Sequence, residues 1–208
     1  MLRRQIMSDV TAQMVKDIRD RTGAPFIDCK KALEEVNGDY ERAIDILRIK
    51  GLAKAAKKMG RETPEGIITS YIHAGGKIGV MAEINCETDF VARNEEFQNF
   101  AKEIAMQIAA ANPSYVSREH VPEALLLHEK EVIKAQVLDS GKTGNVADKI
   151  VEGKIVKYFE ENCLLDQTYI RDPKIRISDL LKSLVAKTGE NIVIRRFTRY
   201  QLGEPIDD

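Results

Sequence analysis

Gly66-Ile-Ile-Thr-Ser-Tyr-Ile-His73, then Ala74-Gly-Gly-Lys77, then Ile78-Gly-Val-Met-Ala-Glu-Ile-Asn-Cys86 is the stretch that decides the fold. Both outer runs alternate and are rich in β-branched residues. A Gly-Gly turn joins them, which is the pattern of a β-hairpin. A period of two puts Val80, Ala82 and Ile84 on one face of the second strand and Met81, Glu83 and Asn85 on the other. The apolar face needs a cover. Residues 95–111 supply one, because Phe97, Phe100, Ala101, Ile104, Ala105 and Ile108 form a helical stripe that Asn112-Pro113 ends. Further out, the spacing predicts helices over 122–138 and 146–162, the second with Ile150, Val151, Ile155, Val156 and Phe159 inward. A short strand is expected over 164–170, a helix capped at Ser178 and closed by Gly189, and a last strand over 191–200. Strands and helices are segregated rather than alternating. Residues 64–204 are therefore expected to form an α+β domain, an antiparallel sheet covered on one side by helices.

Upstream, residues 8–51 carry the pattern of three short helices. Thr11 suits an N-cap, with Val10 and Val15 as a hydrophobic staple. Met14, Val15 and Ile18 share a face that ends at Gly23. Pro25 fits the first turn of a second helix with Cys29, Ala32, Leu33 and Val36 inward. Asp39 caps a third, whose apolar residues are Ala43, Ile44, Ile46 and Leu47, with Gly51 as its expected stop. A core this thin is marginal alone, so docking is the expected use of the unit. Phe26 and Ile27 flank its first turn; they belong either to the core or to a partner's surface. Residues 52–63, rich in Lys and Ala, fit a solvated, helical, basic connector, with a phosphate-binding patch as the sharper alternative.

Composition narrows the function classes. Hydrophobic residues are 43% of the 208 and charged residues 31%, which supports a packed core. The net charge of -1 argues against a dedicated nucleic-acid binder. Cys29, Cys86 and Cys163 are scattered, without C-x-x-C or zinc spacing, as suits a reducing cytosol. No apolar run is long enough for a membrane span, and the basic opening Met1-Leu2-Arg3-Arg4-Gln5-Ile6 lacks an apolar segment behind it. Met1 and Met7 are both usable starts. Asp139-Ser-Gly-Lys-Thr143 imitates the end of a phosphate loop, but Gln136 stands where that motif needs glycine. His73, His120 and His128 have no neighbouring nucleophile or metal spacing, so neither a catalytic residue nor a metal site is expected.

Asn85-Cys-Glu-Thr-Asp-Phe-Val-Ala-Arg-Asn94 links the end of the hairpin to the covering helix. The local pattern leaves two outcomes open. Thr88 or Asp89 caps a helix with Phe90 packed underneath, or the charge and the large apolar residue stand on an exposed corner and insert into another protein.

Several motifs occur in order along the chain. They are Ile18-Arg-Asp-Arg-Thr-Gly23, Asp28-Cys-Lys-Lys-Ala-Leu33, Gly51-Leu-Ala-Lys-Ala-Ala-Lys-Lys58, Glu65-Gly66 with His73, and Val80 to Arg93 containing Cys86-Glu-Thr-Asp-Phe-Val91. Ile194-Arg-Arg-Phe197 and Tyr200-Gln-Leu-Gly-Glu204 complete the set. Together they resemble the translation elongation factor Ts family. The resemblance implies an N-terminal three-helix domain like ubiquitin-associated domains, followed by an α+β dimerization core. It implies a cytoplasmic guanine-nucleotide exchange factor rather than an enzyme. Such a factor binds elongation factor Tu, GDP-bound and nucleotide-free, and promotes GDP release during elongation by disturbing its magnesium site. The residues matching the family's magnesium-displacing motif are Thr88, Asp89, Phe90 and Val91; those matching its gripping surface are Lys16, Arg19, Phe26 and Ile27. Many members carry a methionine pair where Phe26 and Ile27 stand. No cofactor, metal or catalytic residue on this chain is implied. The length resembles the compact form, too short for the second core subdomain and helical-hairpin insertion of longer members, and a homodimer is one way to present two core surfaces. The competing expectation is a ribosome- or RNA-associated adaptor without exchange activity, using Lys50–Lys58 and the terminal arginines; the near-zero net charge speaks against direct nucleic-acid contact.

Overall fold

The computed structural model describes residues 10–205. The choice of start, the basic opening and the first two residues of the 8–51 span lie outside the described residues. Three helices come first: α1 (Ala12–Thr22), α2 (Phe26–Glu35) and α3 (Tyr40–Ala56). Thr11 and Asp39 accept from the backbone N–H groups of Met14 and Arg42, and Gly23 closes α1 in the left-handed conformation. Val15, Ile18, Cys29, Ala32, Leu33, Ala43 and Leu47 form a core of their own. Pro25 sits at the N-cap of α2, one residue before the helical turn expected to hold it.

Gly51 is not a stop. Helix α3 runs through it to Ala56, and Ala55 is buried in the core of the sheet domain. Helix α8 (Ile177–Thr188) explains the glycine: a Cβ there would lie 3.3 Å from the Cβ of Ala186. Close helix approach, rather than chain termination, is what that glycine provides.

Strands β1 (Glu65–Ile72) and β2 (Ile78–Cys86) form the expected hairpin, and β5 (Ile192–Gln201) pairs antiparallel with the far side of β2. The sheet order is β1-β2-β5. Val80, Ala82 and Ile84 face inward under α5 (Glu95–Ala111), which contributes Phe97, Phe100, Ile104 and Ile108, and under α8, which contributes Leu184 and Val185. Ile68, Ile72, Met81 and Tyr200 are exposed. The architecture is the α+β arrangement expected from the pattern, one sheet face covered by helices.

Between α5 and α8 the chain departs from expectation in three places. Helices α6 (Glu123–Asp139) and α7 (Gly144–Asn162) stand where the spacing predicts helices, but they pack on each other as a helical hairpin, a pairing that the pattern does not give. Val121, Ile133, Val137, Ala147, Ile155, Phe159 and Cys163 form its separate core, while Val156 faces solvent. The expected strand over 164–170 is a 3-10 turn at Leu164–Asp166 followed by a two-residue strand, β3 (Thr168–Tyr169). Its partner β4 (Asp172–Arg176) was not foreseen. The third departure is the start of α8, where Arg176 rather than Ser178 holds the N-cap position, with no side-chain capping bond. The buried Gln107 and Gln167 amides fasten this region to α5 through bonds to each other and to the backbone at Thr168 and Glu161. Buried amides are stable only when satisfied in this way.

Candidate functional site

The hairpin's second strand ends at a tightly tied corner. Cys86 is buried, and its thiol donates to the carbonyl of Thr88 at 3.1 Å. Burial, with the Glu190 charge beside it, pushes that thiol up to about 11, so it stays protonated near neutrality. Glu87 accepts from the backbone N–H of Asn191 at 2.6 Å and lies 3.5 Å from Arg61. The Asn191 bond, followed by the Arg61 charge, holds the Glu87 carboxyl below its ordinary value. Glu190 accepts twice from Thr88, 3.0 Å from its N–H and 2.6 Å from its hydroxyl.

A single helical turn, α4 (Asp89–Ala92), follows. Thr88 is its N-cap and accepts from Val91 N–H at 3.4 Å. Ala92 is buried and Val91 packs partly against the sheet core. Phe90 is 82% exposed. The cap was expected; the packing of Phe90 beneath it does not occur, because Val91 and Ala92 already fill the inward side of the turn. Asp89 forms a 3.0 Å pair with Arg93 in the open, a contact of small energetic weight that leaves the carboxylate accessible.

The second set lies on the three-helix unit. Lys16 and Arg19 are exposed on α1, and Phe26 and Ile27, 48% and 65% exposed, begin α2. Neither apolar residue completes the core that Cys29, Ala32 and Leu33 occupy. Among the described residues, no hydrogen bond or ion pair joins the two sets. Glu87, Glu190, Asn191 and Arg61 were not singled out from the sequence. Thr88 and Glu190 are 102 positions apart, and a carboxylate after a helix-ending glycine carries no local signal.

The other candidates have internal explanations. Asp139–Thr143 is the last residue of α6 and the turn that leads into α7. A bulge in β5 turns both Arg195 and Arg196 outward toward Glu83, at 3.9 and 2.6 Å, and Arg199 binds Glu204 at 2.9 Å. Lys50 and Lys54 pair with Glu35 and Asp28, each at 2.6 Å. Among the described residues, no group of acidic, histidine and cysteine side chains could hold a metal ion, and no helix is long and apolar enough to cross a membrane.

The family model described as Elongation factor TS matches residues 2–204. Elongation factor Ts of Thermoanaerobacter sp. (strain X514) is 63% identical over 198 residues, covering 95% of this chain and 97% of the relative. The protein of the same name from Caldanaerobacter subterraneus subsp. tengcongensis is 61% identical, covering 95% and 99%. That from Desulfosudis oleivorans is 56% identical, covering 95% and 100%. Similarity of this extent places the chain among the elongation factors of translation. Within that class, the chain belongs to the elongation factor Ts family.

Proposed function

We propose that this chain is a guanine-nucleotide exchange factor that acts on elongation factor Tu in the cytoplasm. It works by binding rather than by bond chemistry. The observation that carries the proposal is Phe90, a large apolar side chain held in water on a corner whose base is tied down. Thr88, Asp89, Phe90 and Val91 form the wedge that disturbs the partner's magnesium site. Lys16, Arg19, Phe26 and Ile27 on the three-helix unit form the grip.

Energetics require both parts. An exchange factor must favour the nucleotide-free partner, since equal binding to both states shifts nothing. Loosening GDP roughly 10³-fold needs about 4 kcal/mol of differential binding. Burying one phenylalanine supplies roughly 1.5–3 kcal/mol. Phe90 alone falls short, so Asp89 must act on the partner's backbone or water around the metal while the grip anchors the complex. The RNA-adaptor alternative is less favoured, because the lysines and arginines it would use at Lys50, Lys54, Arg195, Arg196 and Arg199 have carboxylate partners in this chain.

The test is stopped-flow release of a fluorescent GDP from elongation factor Tu. The chain carrying Asp89→Ala and Phe90→Ala should fold with nearly native stability yet lose most of the stimulated release. Native release rates from that folded variant would reject the wedge.

A further inference from the structure

Residues 186–191 run from the last turn of α8 to the start of β5, and they contact both the three-helix unit and the corner that carries α4. On one side they meet the three-helix unit. Ala186 backs Gly51 of α3, and Lys187 lies so close to Gly23 that a Cβ on that glycine would come within 2.7 Å of its side chain. Gly23 begins the loop that leads to Phe26 and Ile27. On the other side Glu190 holds Thr88 by two hydrogen bonds, and Asn191 holds Glu87. Lys187 also reaches Glu96 of α5 at 3.3 Å, and the Asn191 amide donates to the carbonyl of Arg61 at 2.8 Å.

Helix α4 cannot orient itself. It is one turn of four residues, shorter than any helix stable on its own. Its direction is set by what holds its ends, namely buried Ala92 at one end and Thr88 at the other. Thr88 caps the turn with its hydroxyl oxygen and donates the hydroxyl hydrogen to Glu190. A carboxylate that takes two donors from one residue fixes both position and plane, and charge makes these bonds the stronger kind. An N-cap needs only the threonine; the remote carboxylate is surplus to capping.

We propose that Glu190 is a positioning residue for nucleotide release: it fixes the angle at which α4 presents Phe90, and α8 refers that angle to the three-helix grip. This rests on the exchange proposal above. Glu190 itself touches no nucleotide or metal; it acts through Thr88.

The test uses the full chain with Glu190→Gln, Phe90→Ala and Thr88→Ala, each assayed for GDP release across a concentration series. Glu190→Gln is expected to lower the maximal release rate at least about fivefold while the half-saturating concentration moves less than about twofold. Thr88→Ala, which loses both the hydroxyl bond to Glu190 and the cap on the Val91 N–H, should lower the maximal rate at least as much as Glu190→Gln, and a native rate from that folded variant would overturn the proposal. A merely structural role would lower the unfolding temperature and leave both kinetic quantities native in the folded variant, and that result overturns the proposal. Should Glu190→Gln fail to fold, Glu190→Asp, which keeps the charge but shortens the reach, is measured instead. A reduced maximal rate then supports the proposal and a native rate overturns it. Phe90→Ala separates the two levels. If it slows release while the Glu190 variant does not, positioning alone is wrong; if it leaves release native, the exchange proposal fails and this one with it.

Discussion

Phe90 and Glu87 stand three residues apart and obey opposite logic. Phe90 leaves apolar area in water that folding would otherwise bury, so its removal should cost the isolated chain little. Glu87 is a half-buried carboxylate with an N–H and a guanidinium facing it, and it does contribute to the fold. Its folded pKa is lowered, so its contribution is complete above the ordinary carboxylate range and is lost as pH falls through the lowered value. The stability gap between the native chain and Glu87→Gln should therefore be full at neutral pH and close in acid. Urea unfolding at a series of pH values checks this, and a gap that stays constant into acid would contradict it. Much at this scale was legible beforehand. Thr88 as a cap follows from its side chain and from its place before a helical run. Glu190 as its clamp did not, since no local rule links residues that meet only after the sheet has closed.

At the scale of elements, periodicity found nearly every helix and strand because each has a face to bury. It failed where an element is fixed by something distant. Gly51 looked like a helix end, yet the helix continues and the glycine serves contact with Ala186 of α8. With the helix continuous, a solvated position and one packed against α8 predict opposite signs for a larger side chain. In a free, solvated linker helix, Gly51→Leu would stabilise by about 1 kcal/mol through propensity. Packed against α8, it should destabilise by roughly 1–3 kcal/mol through overcrowding. The shift of the thermal unfolding midpoint decides between them. The strand β4 and the true extent of β3 were illegible for a different reason. They are too short to show alternation, and the Gln107–Gln167 amides, rather than a hydrophobic face, secure their neighbourhood. The arginines of β5 entered the RNA-adaptor expectation as a basic group. A bulge opposite Glu83 accounts for their shared outward direction.

Across the whole molecule, α3 joins the three-helix unit to the sheet domain, and its far end enters the core of the sheet domain. In the exchange proposal, this arrangement carries the grip and the wedge on different units. It also leaves the sheet face opposite α5 bare, with Ile68, Ile72, Met81 and Tyr200 in water. Clustered apolar exposure of that kind marks an association surface. The homodimer expected from the sequence would use this face. Light scattering should give twice the chain mass for the native protein and a single mass after Met81→Lys with Ile68→Lys; a native monomer at micromolar concentration would exclude it. The central claim is that docking energy is spent on the nucleotide-free state of the partner. Its most direct measurement is the equilibrium affinity of this chain for elongation factor Tu with and without bound GDP, by calorimetry at fixed magnesium concentration. Binding should be tighter by about 10³-fold when the nucleotide is absent. Equal affinities for the two states would contradict it.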